Sequence, residues 1–208
     1  WDITDPQNII RKQVRYETNG SLRFVSDNKQ LKYFVAVNTL SRDWLKPTIV
    51  GKVTNQNLHS IQQADYIIVT NEAFRNASMR LAQAHQNIDG MTYAVVTDQQ
   101  VYNEFSSGTP DVTAYRRLMK MLYDRASSSD DAPKYLLLFG DAWYDNRLLT
   151  FPGRKQDDYL LCYESQNSVD AIYSYVLEDY VGYLDDTEGG SHLYDKVDLG
   201  VGRIPAQS

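Results

Sequence analysis

With one cysteine and three histidines in 208 residues, thiol and imidazole chemistry can fall only on Cys162, His59, His85 and His192. Cys162 sits in the alternating segment DDYLLCYE, between Leu161 and Tyr163. A reactive thiolate needs a neighbouring cation, a helix N-terminus or a histidine base, so the expectation here is a buried, inert thiol. A lone cysteine also makes no internal disulfide. His59 precedes the first buried strand, His85 falls near the end of a helix, and His192 lies in a Gly-Ser-rich loop; none has metal-ligand spacing. The negative end of a helix accounts for His85, and surface exposure accounts for the other two.

Carboxylates are the next candidates. In open α/β sheets, ligands bind beyond the carboxyl ends of the strands. Asn71, Asp98, Asp141 and Arg203 end or follow buried strand patterns and are expected along one edge, close to the acidic segment that bears Asp185 and Asp186. Such a group can hold a cation or a basic substrate side chain; carboxylates in these places also cap helices and turns. Asp141, Asp185 and Asp186 are therefore the candidate substrate-binding residues. Asp185, Asp186, Glu188 and Asp195 surround Gly189-Gly190 with hard oxygen ligands, but their spacing departs from the EF-hand loop. No cofactor is expected, with calcium at this loop left open as an alternative. Gly140 stands alone before Asp141, and Gly200 and Gly202 fall inside a strand, so no glycine-rich phosphate loop is present.

The elements that must position these groups follow from periodicity. RKQVRYET and SLRFVSD alternate on either side of Asn19-Gly20, a hairpin signal, and LKYFVAVN predicts a third strand. From about residue 62 the pattern changes. ADYIIVT, residues 64 to 70, is a continuous run expected of a strand covered on both faces. A helix over 72 to 86 is predicted from Phe74, Ala77, Leu81 and Ala84, with Asn71 as its cap. MTYAVVTD is the second strand, giving a right-handed crossover and a parallel pair. Thr109-Pro110-Asp111 opens another helix, with Val112, Tyr115, Leu118, Met119 and Leu122 as its buried stripe. Ser127 to Asp131 form a polar turn, KYLLLFGD is the third strand and KVDLGVGR the fourth. DDYLLCYE and IYSYVLEDYVGYL read as antiparallel excursions. The fold class is α/β with a parallel sheet preceded by β structure, residues 1–60 ending an N-terminal β region and 61–208 forming the α/β part.

Composition narrows the function classes. There are 27 acidic and 21 basic residues, and the chain is 42% hydrophobic and 23% charged, ordinary for a globular protein. Residues 141 to 198 hold 13 acidic and 4 basic side chains, while the rest hold 14 and 17, so the acidity is regional. That stretch also has 8 of the 16 tyrosines, a composition suited to a recognition surface or to the exposed faces of hairpins. No basic face is available for nucleic acid. Apolar runs are five residues or fewer, too short for a bilayer-spanning helix. The chain begins at Trp1 and ends just after a strand, so a processed or excised piece, cut short at its C-terminus, is expected.

The order ADYIIVT, VYNEFSSGTPDVTAYRRLMKMLYD, YLLLFGDAWYDNR, DDYLLCYES, EDYVGYLDD and VDLGVGRIPA resembles the N-terminal half of the catalytic domain of gingipain-type cysteine peptidases, in particular the branch that serves as sortase of the type IX secretion system. The opening WDITDP and hairpin resemble the β region before that domain. The resemblance implies a caspase-like α/β subdomain and a parent that cleaves C-terminal signals from secreted cargo through a Cys/His dyad, at the outer-membrane cell surface of a Gram-negative bacterium, alongside secretion-system components. In that family the His occurs in a Gly-His-Gly setting and both dyad members follow the GRxP-like strand. No Gly-His-Gly occurs here, no histidine or cysteine context matches, and an inactive piece is expected. The resemblance also puts Asp186, with Asp185 beside it, where an acidic residue lines the primary specificity pocket of arginine-specific gingipains; a carboxylate there would pair with guanidinium or ammonium. The insert TEGGSHLYDK departs from the family pattern. The competing readings are a non-catalytic surface scaffold that binds through the acidic edge and a flavodoxin-like small-ligand module.

Overall fold

The computed structural model describes residues 1–27, 29–41, 43–150, 153, 159–165, 172, 174–189 and 195–206. The chain divides into two compact units, Trp1–Val53 and Thr54–Ser208. In the first, β1 (Arg15–Tyr16) pairs antiparallel with β2 (Leu22–Arg23), Tyr16 opposite Leu22. The Gly20 N–H donates to the Glu17 carbonyl at 3.0 Å, and Gly20 has φ +82°. The turn thus runs over Thr18 and Asn19 and ends in a left-handed glycine, a conformation glycine adopts without steric cost; the loop is a residue longer than the dipeptide signal implied. LKYFVAVN, in contrast, forms no regular strand. It is bonded to the first residues of the chain, Ile3 N–H to Tyr33 O and Val35 N–H to Trp1 O, around a single bridge between Asp2 and Phe34. Alternation needs a partner of matching length to become a ladder, and only three residues are in place. Leu45 and Val50 remain almost fully exposed.

The second unit is built on a four-stranded sheet in the order β4-β3-β5-β8, all parallel. Its strands are β3 (Tyr66–Thr70), β4 (Tyr93–Thr97), β5 (Tyr135–Phe139) and β8 (Gly200–Ile204). Period-two alternation sorts their side chains. Ile67, Val69, Val96, Leu136 and Leu138 join the main core with α2 (Asp98–Phe105) and α3 (Thr113–Arg125), whereas Tyr66, Ile68 and Leu137 meet Ala82 of α1 (Arg75–Asp89). Helices therefore cover both faces, which is why β3 is apolar throughout. Removing a side chain such as Leu118, which has no exposure, would cost about 2–5 kcal/mol.

Local expectations meet the structure unevenly. The α3 stripe holds, with Ala114, Tyr115, Leu118, Met119 and Leu122 buried. That helix starts at Thr113, whose N–H donates to the Asp111 carboxylate at 2.9 Å. On α1 the buried positions are Ser78 and Ala82, one step round from the predicted stripe, of which Leu81 is partly buried against the same cluster; a short 3-10 turn, Glu72–Phe74, precedes the helix. Asn71 makes no side-chain cap. Helix α2 was not anticipated, although Thr97 and Gln100 form a capping box at its start, a signal legible in TDQQ.

The excursion between β5 and β8 departs most. The strands β6 (Asp141–Trp143) and β7 (Tyr159–Leu161) pair parallel, not antiparallel. EDYVG is a 3-10 segment, Glu178–Gly182, and among the described residues of the excursion antiparallel pairing is confined to the bridge between Glu164 and Val176. The residue pattern recorded neither strand direction nor burial here, since Tyr159, Leu160, Leu161 and Cys162 are all buried. Asp157 and Asp158 of DDYLLCYE, Tyr173 of IYSYVLE and Gly190 to Tyr194 of TEGGSHLYDK, including His192, lie outside the described residues. Residues from Thr54 onward belong to the second unit because the Glu104 carboxylate accepts N–H groups from Leu58 at 2.7 Å and Gln56 at 2.8 Å.

Candidate functional site

Strand register aligns Thr97, Thr70, Phe139 and Ile204 at one edge. The chain leaves β3 for α1 on one face and leaves β5 for residues packed in the main core on the other. A crevice at the carboxyl ends of these strands is the usual ligand position for such a topology. Asn71 and Asp98 follow β3 and β4 directly, and Asp141 follows β5 by way of Gly140.

Asn71 is 4% exposed, and neither its amide nitrogen nor its amide oxygen has a hydrogen-bond partner. Asp98 begins α2. Its carboxylate accepts the Gln99 N–H at 2.7 Å, and burial raises its pKa from 3.8 to about 6, with no cation opposing the shift. Asp98 opens onto a cleft of about 90 Å³ walled by Tyr102, Pro110, Asn146, Tyr159 and Leu161. The Tyr102 and Tyr115 hydroxyls are hydrogen-bonded to each other in the core beside it, and burial pushes both well above the ordinary phenol range. Asp141 caps its own turn, accepting the Ala142 N–H at 3.0 Å.

Arg203 belongs to this edge but is no free cation. Its Nε donates to Glu178 at 2.7 Å, Nη1 to the carbonyls of Gly140 at 3.2 Å and Asp141 at 3.3 Å, and Nη2 to the Leu161 carbonyl at 3.0 Å. One guanidinium thus ties β8, the β5–β6 junction, β7 and the 3-10 segment together, using the fixed fork that lysine lacks. Cys162 lies nearby, 7% exposed. Burial, reinforced by the Glu178 charge, pushes its thiol up to about 11, which disfavours the thiolate at neutral pH; the burial itself is what its sequence setting implied.

Asp185 and Asp186 do not join this edge. The Tyr123 hydroxyl contacts Asp185 at 3.3 Å and Asp198 at 3.5 Å, and Asp198 lies just ahead of Gly200, the first residue of β8. These groups sit at the amino end of the sheet, separated from Asp141 by a strand of five residues, about 16 Å. The expectation that Asp141, Asp185 and Asp186 gather together is therefore corrected. The reason is that Arg116 and Lys120 of α3 bind the carbonyls of Tyr183 at 2.6 Å and Leu184 at 3.0 Å, which draws the acidic segment along that helix. Lys120 also meets Asp186 at 2.8 Å and holds its carboxyl below the usual range.

The oxygen-rich loop is regrouped as well. Asp185, Glu188 and Asp198 bring carboxylate oxygens within 4.8 Å of one another, whereas Asp186 turns to Lys120 and Asp195 accepts the Gly189 N–H at 3.1 Å. Asp198 and Glu188 accept the N–H groups of Leu184 at 2.8 Å and Asp185 at 3.3 Å, so backbone amides organise this cluster. His59 is more occupied than exposure alone implied, and His85 has a partner of its own near its helix end. His59 Nδ1 lies 2.7 Å from Glu104 and its ring stacks on Phe105; His85 Nδ1 lies 2.7 Å from Asp89, one helical turn away.

A family model for peptidase family C25 matches residues 59–208, the whole of the parallel sheet and the acidic excursion. The chain belongs to peptidase family C25, the gingipain family. The solved structures include a similar one, the crystal structure of dimeric latent PorU from Porphyromonas gingivalis, with a TM-score of 0.78 and 35% identity. The match covers 94% of this chain and 19% of that one, so the chain spans about a fifth of the PorU length. Among curated proteins there is no match. The C25 assignment agrees with the α/β fold and its parallel sheet. Glu104, Glu178 and the capping pair Thr97 and Gln100 are the organising residues that sequence reasoning missed; of these only the capping pair carries a local signal.

Proposed function

We propose that this C25 chain supplies the first, non-nucleophilic subdomain of a cell-surface cysteine endopeptidase that acts as a type IX secretion sortase, cleaving C-terminal signals from secreted cargo. The observation that carries the reading is the likeness to PorU at 35% identity across 94% of the chain, together with the family match over residues 59–208. A Cys thiolate from elsewhere in the parent attacks the scissile carbonyl, a His gives a proton to the amine of the C-terminal signal as the C–N bond breaks, and the acyl group of the resulting thioester passes to water or to an amine acceptor, which returns the Cys. The buried Cys162 thiol, pushed up to about 11, supports placing the nucleophile outside these residues. The domain reading of a β region followed by the peptidase subdomain is part of the same proposal.

Peptide cleavage by the parent protein and by the 208-residue chain, with iodoacetamide as thiol inhibitor, tests it. The parent should cleave peptides that carry a cargo C-terminal signal and lose activity on alkylation. The Cys162→Ala parent should retain kcat/KM within about twofold, and the 208-residue chain should be inert. Cleavage by the 208-residue chain that Cys162→Ala abolishes would overturn the placement of the nucleophile. An inert parent would favour the scaffold reading.

A further inference from the structure

Asn19 is the one asparagine of the chain that is followed by glycine, and its carboxamide turns forward across that glycine to Ser21. The Asn19 Oδ1 accepts two hydrogen bonds there, from the Ser21 N–H at 3.0 Å and from the Ser21 hydroxyl at 2.6 Å. Two donors on one carbonyl oxygen are the arrangement that stabilises an oxyanion when a nucleophile adds to the carbon. The nucleophile in reach is the Gly20 nitrogen, next in the chain, so the attack is intramolecular. Nothing crowds it: Gly20 has open space where a Cβ would stand, and both residues are exposed. The nitrogen is restrained by the hydrogen bond from its N–H to the Glu17 carbonyl at 3.0 Å. That bond closes a hairpin with two exposed residues in each strand, which opens readily.

We propose that Asn19-Gly20 is a self-modification site, at which the folded turn promotes deamidation of Asn19 by water. The Gly20 N–H gives its proton to hydroxide, and the nitrogen bonds to Cγ of Asn19. Negative charge develops on Oδ1, where the Ser21 N–H and hydroxyl meet it. The bond from Cγ to Nδ2 breaks as that nitrogen takes a proton from water and departs as ammonia, leaving a succinimide ring. Water then opens the ring at either carbonyl and gives aspartate or isoaspartate at position 19; no oxidant or reductant enters. Either product alters the hairpin. Aspartate adds a carboxylate two residues from Glu17, the partner of Arg23. Isoaspartate runs the main chain through the former side chain, and the added methylene displaces Tyr16 from Leu22. Asn38 supplies a comparison within the same unit. It is exposed and its Oδ1 accepts the Leu40 N–H at 3.0 Å, the same forward turn, but the β-branched Thr39 follows it and hinders the nitrogen.

The test is incubation of the 208-residue chain in warm, mildly alkaline buffer made with oxygen-18 water, followed by peptide mapping with mass spectrometry. Asn19 should be converted at least about tenfold faster than Asn38, with one heavy oxygen taken up per event and with isoaspartate detected by a protein isoaspartyl methyltransferase. This comparison is made in the wild-type chain and needs no variant to fold. Ser21→Ala removes the hydroxyl donor and keeps the N–H; it should slow Asn19 by about threefold or more and leave Asn38 unchanged. A turn that reacts only because it is mobile behaves in the opposite way, since losing the 2.6 Å bond loosens it and speeds the reaction. Conversion of Asn19 no faster than that of Asn38, conversion without uptake of heavy oxygen, or an Asn19 that reacts as fast or faster in Ser21→Ala would overturn the proposal.

Discussion

Asp65 and Asp98 stand at opposite ends of the same parallel sheet, and their surroundings move them in opposite directions. Asp65, just before β3, takes hydrogen bonds from Lys134 at 2.5 Å and from the Thr92 hydroxyl at 2.6 Å, which lower its pKa to about 2. Asp98, just after β4, is raised to about 6 by burial. The contrast extends to their neighbours. At the amino end, the carboxylates of Asp185, Asp186, Glu188 and Asp198 all meet N–H, O–H or ammonium donors. At the carboxyl end, Asn71 and one oxygen of Glu178 are buried without partners. The amino end is finished as structure, whereas the carboxyl end retains unspent polar capacity, the state expected of a binding edge.

The largest predicted effect tests whether the carboxyl end also has a structural hub. Arg203→Met should destabilise the chain by about 3–5 kcal/mol, because it strands the Glu178 charge in a mostly buried site. Arg203→Lys should recover only part of this. Urea denaturation measures both, and a loss below about 1 kcal/mol would show that the guanidinium is not the tie.

Next comes the opposed behaviour of the two aspartates. The Asp98 pKa is higher folded than unfolded, so its contribution to stability falls as pH rises from about 4 to about 6 and stays lost above. Asp98→Asn should therefore gain about 1–3 kcal/mol at pH 7 and nothing below about pH 4. The Asp65 pKa is lower folded than unfolded, so its stabilisation is present above its ordinary 3.8 and lost as pH falls towards about 2. Asp65→Asn should cost about 0.2–1 kcal/mol at pH 7, a range set by solvent around the half-exposed Lys134, and should flatten the acid limb of the stability profile. Guanidinium melts from pH 2 to 8 decide; parallel profiles for the two variants would erase the contrast. The smallest effect belongs to Asp186→Ala. Its side chain is 90% exposed, and the thermal midpoint should stay within error of the wild type.

Much of the scaffold was legible. Apolar runs located β3, β4 and β5, and the helical period of Tyr115, Leu118, Met119 and Leu122 located α3 and its buried face, because these patterns are set by residues a few positions apart. The candidate site was less so. The rule for open sheets placed Asn71, Asp98 and Asp141 at one edge, but sequence could not show that Asp98 would be part-buried without a cation beside it or that Asn71 would make no cap. Nor could it show that Arg116 and Lys120 would carry Asp185 and Asp186 to the other end.

By itself, then, the sequence determined the α/β class, the parallel crossovers, a buried setting for Cys162 and the segment order shared with C25 peptidases. Local periodicity and short motifs suffice for these. Tertiary structure alone decided the parallel pairing of β6 with β7, the four carbonyl and carboxylate contacts of Arg203, and which carboxylates are answered by donors. Those outcomes depend on contacts between groups distant in sequence, 18 positions apart for β6 with β7 and 25 to 63 for Arg203, where the determinant is which polar atoms meet once the apolar faces have packed.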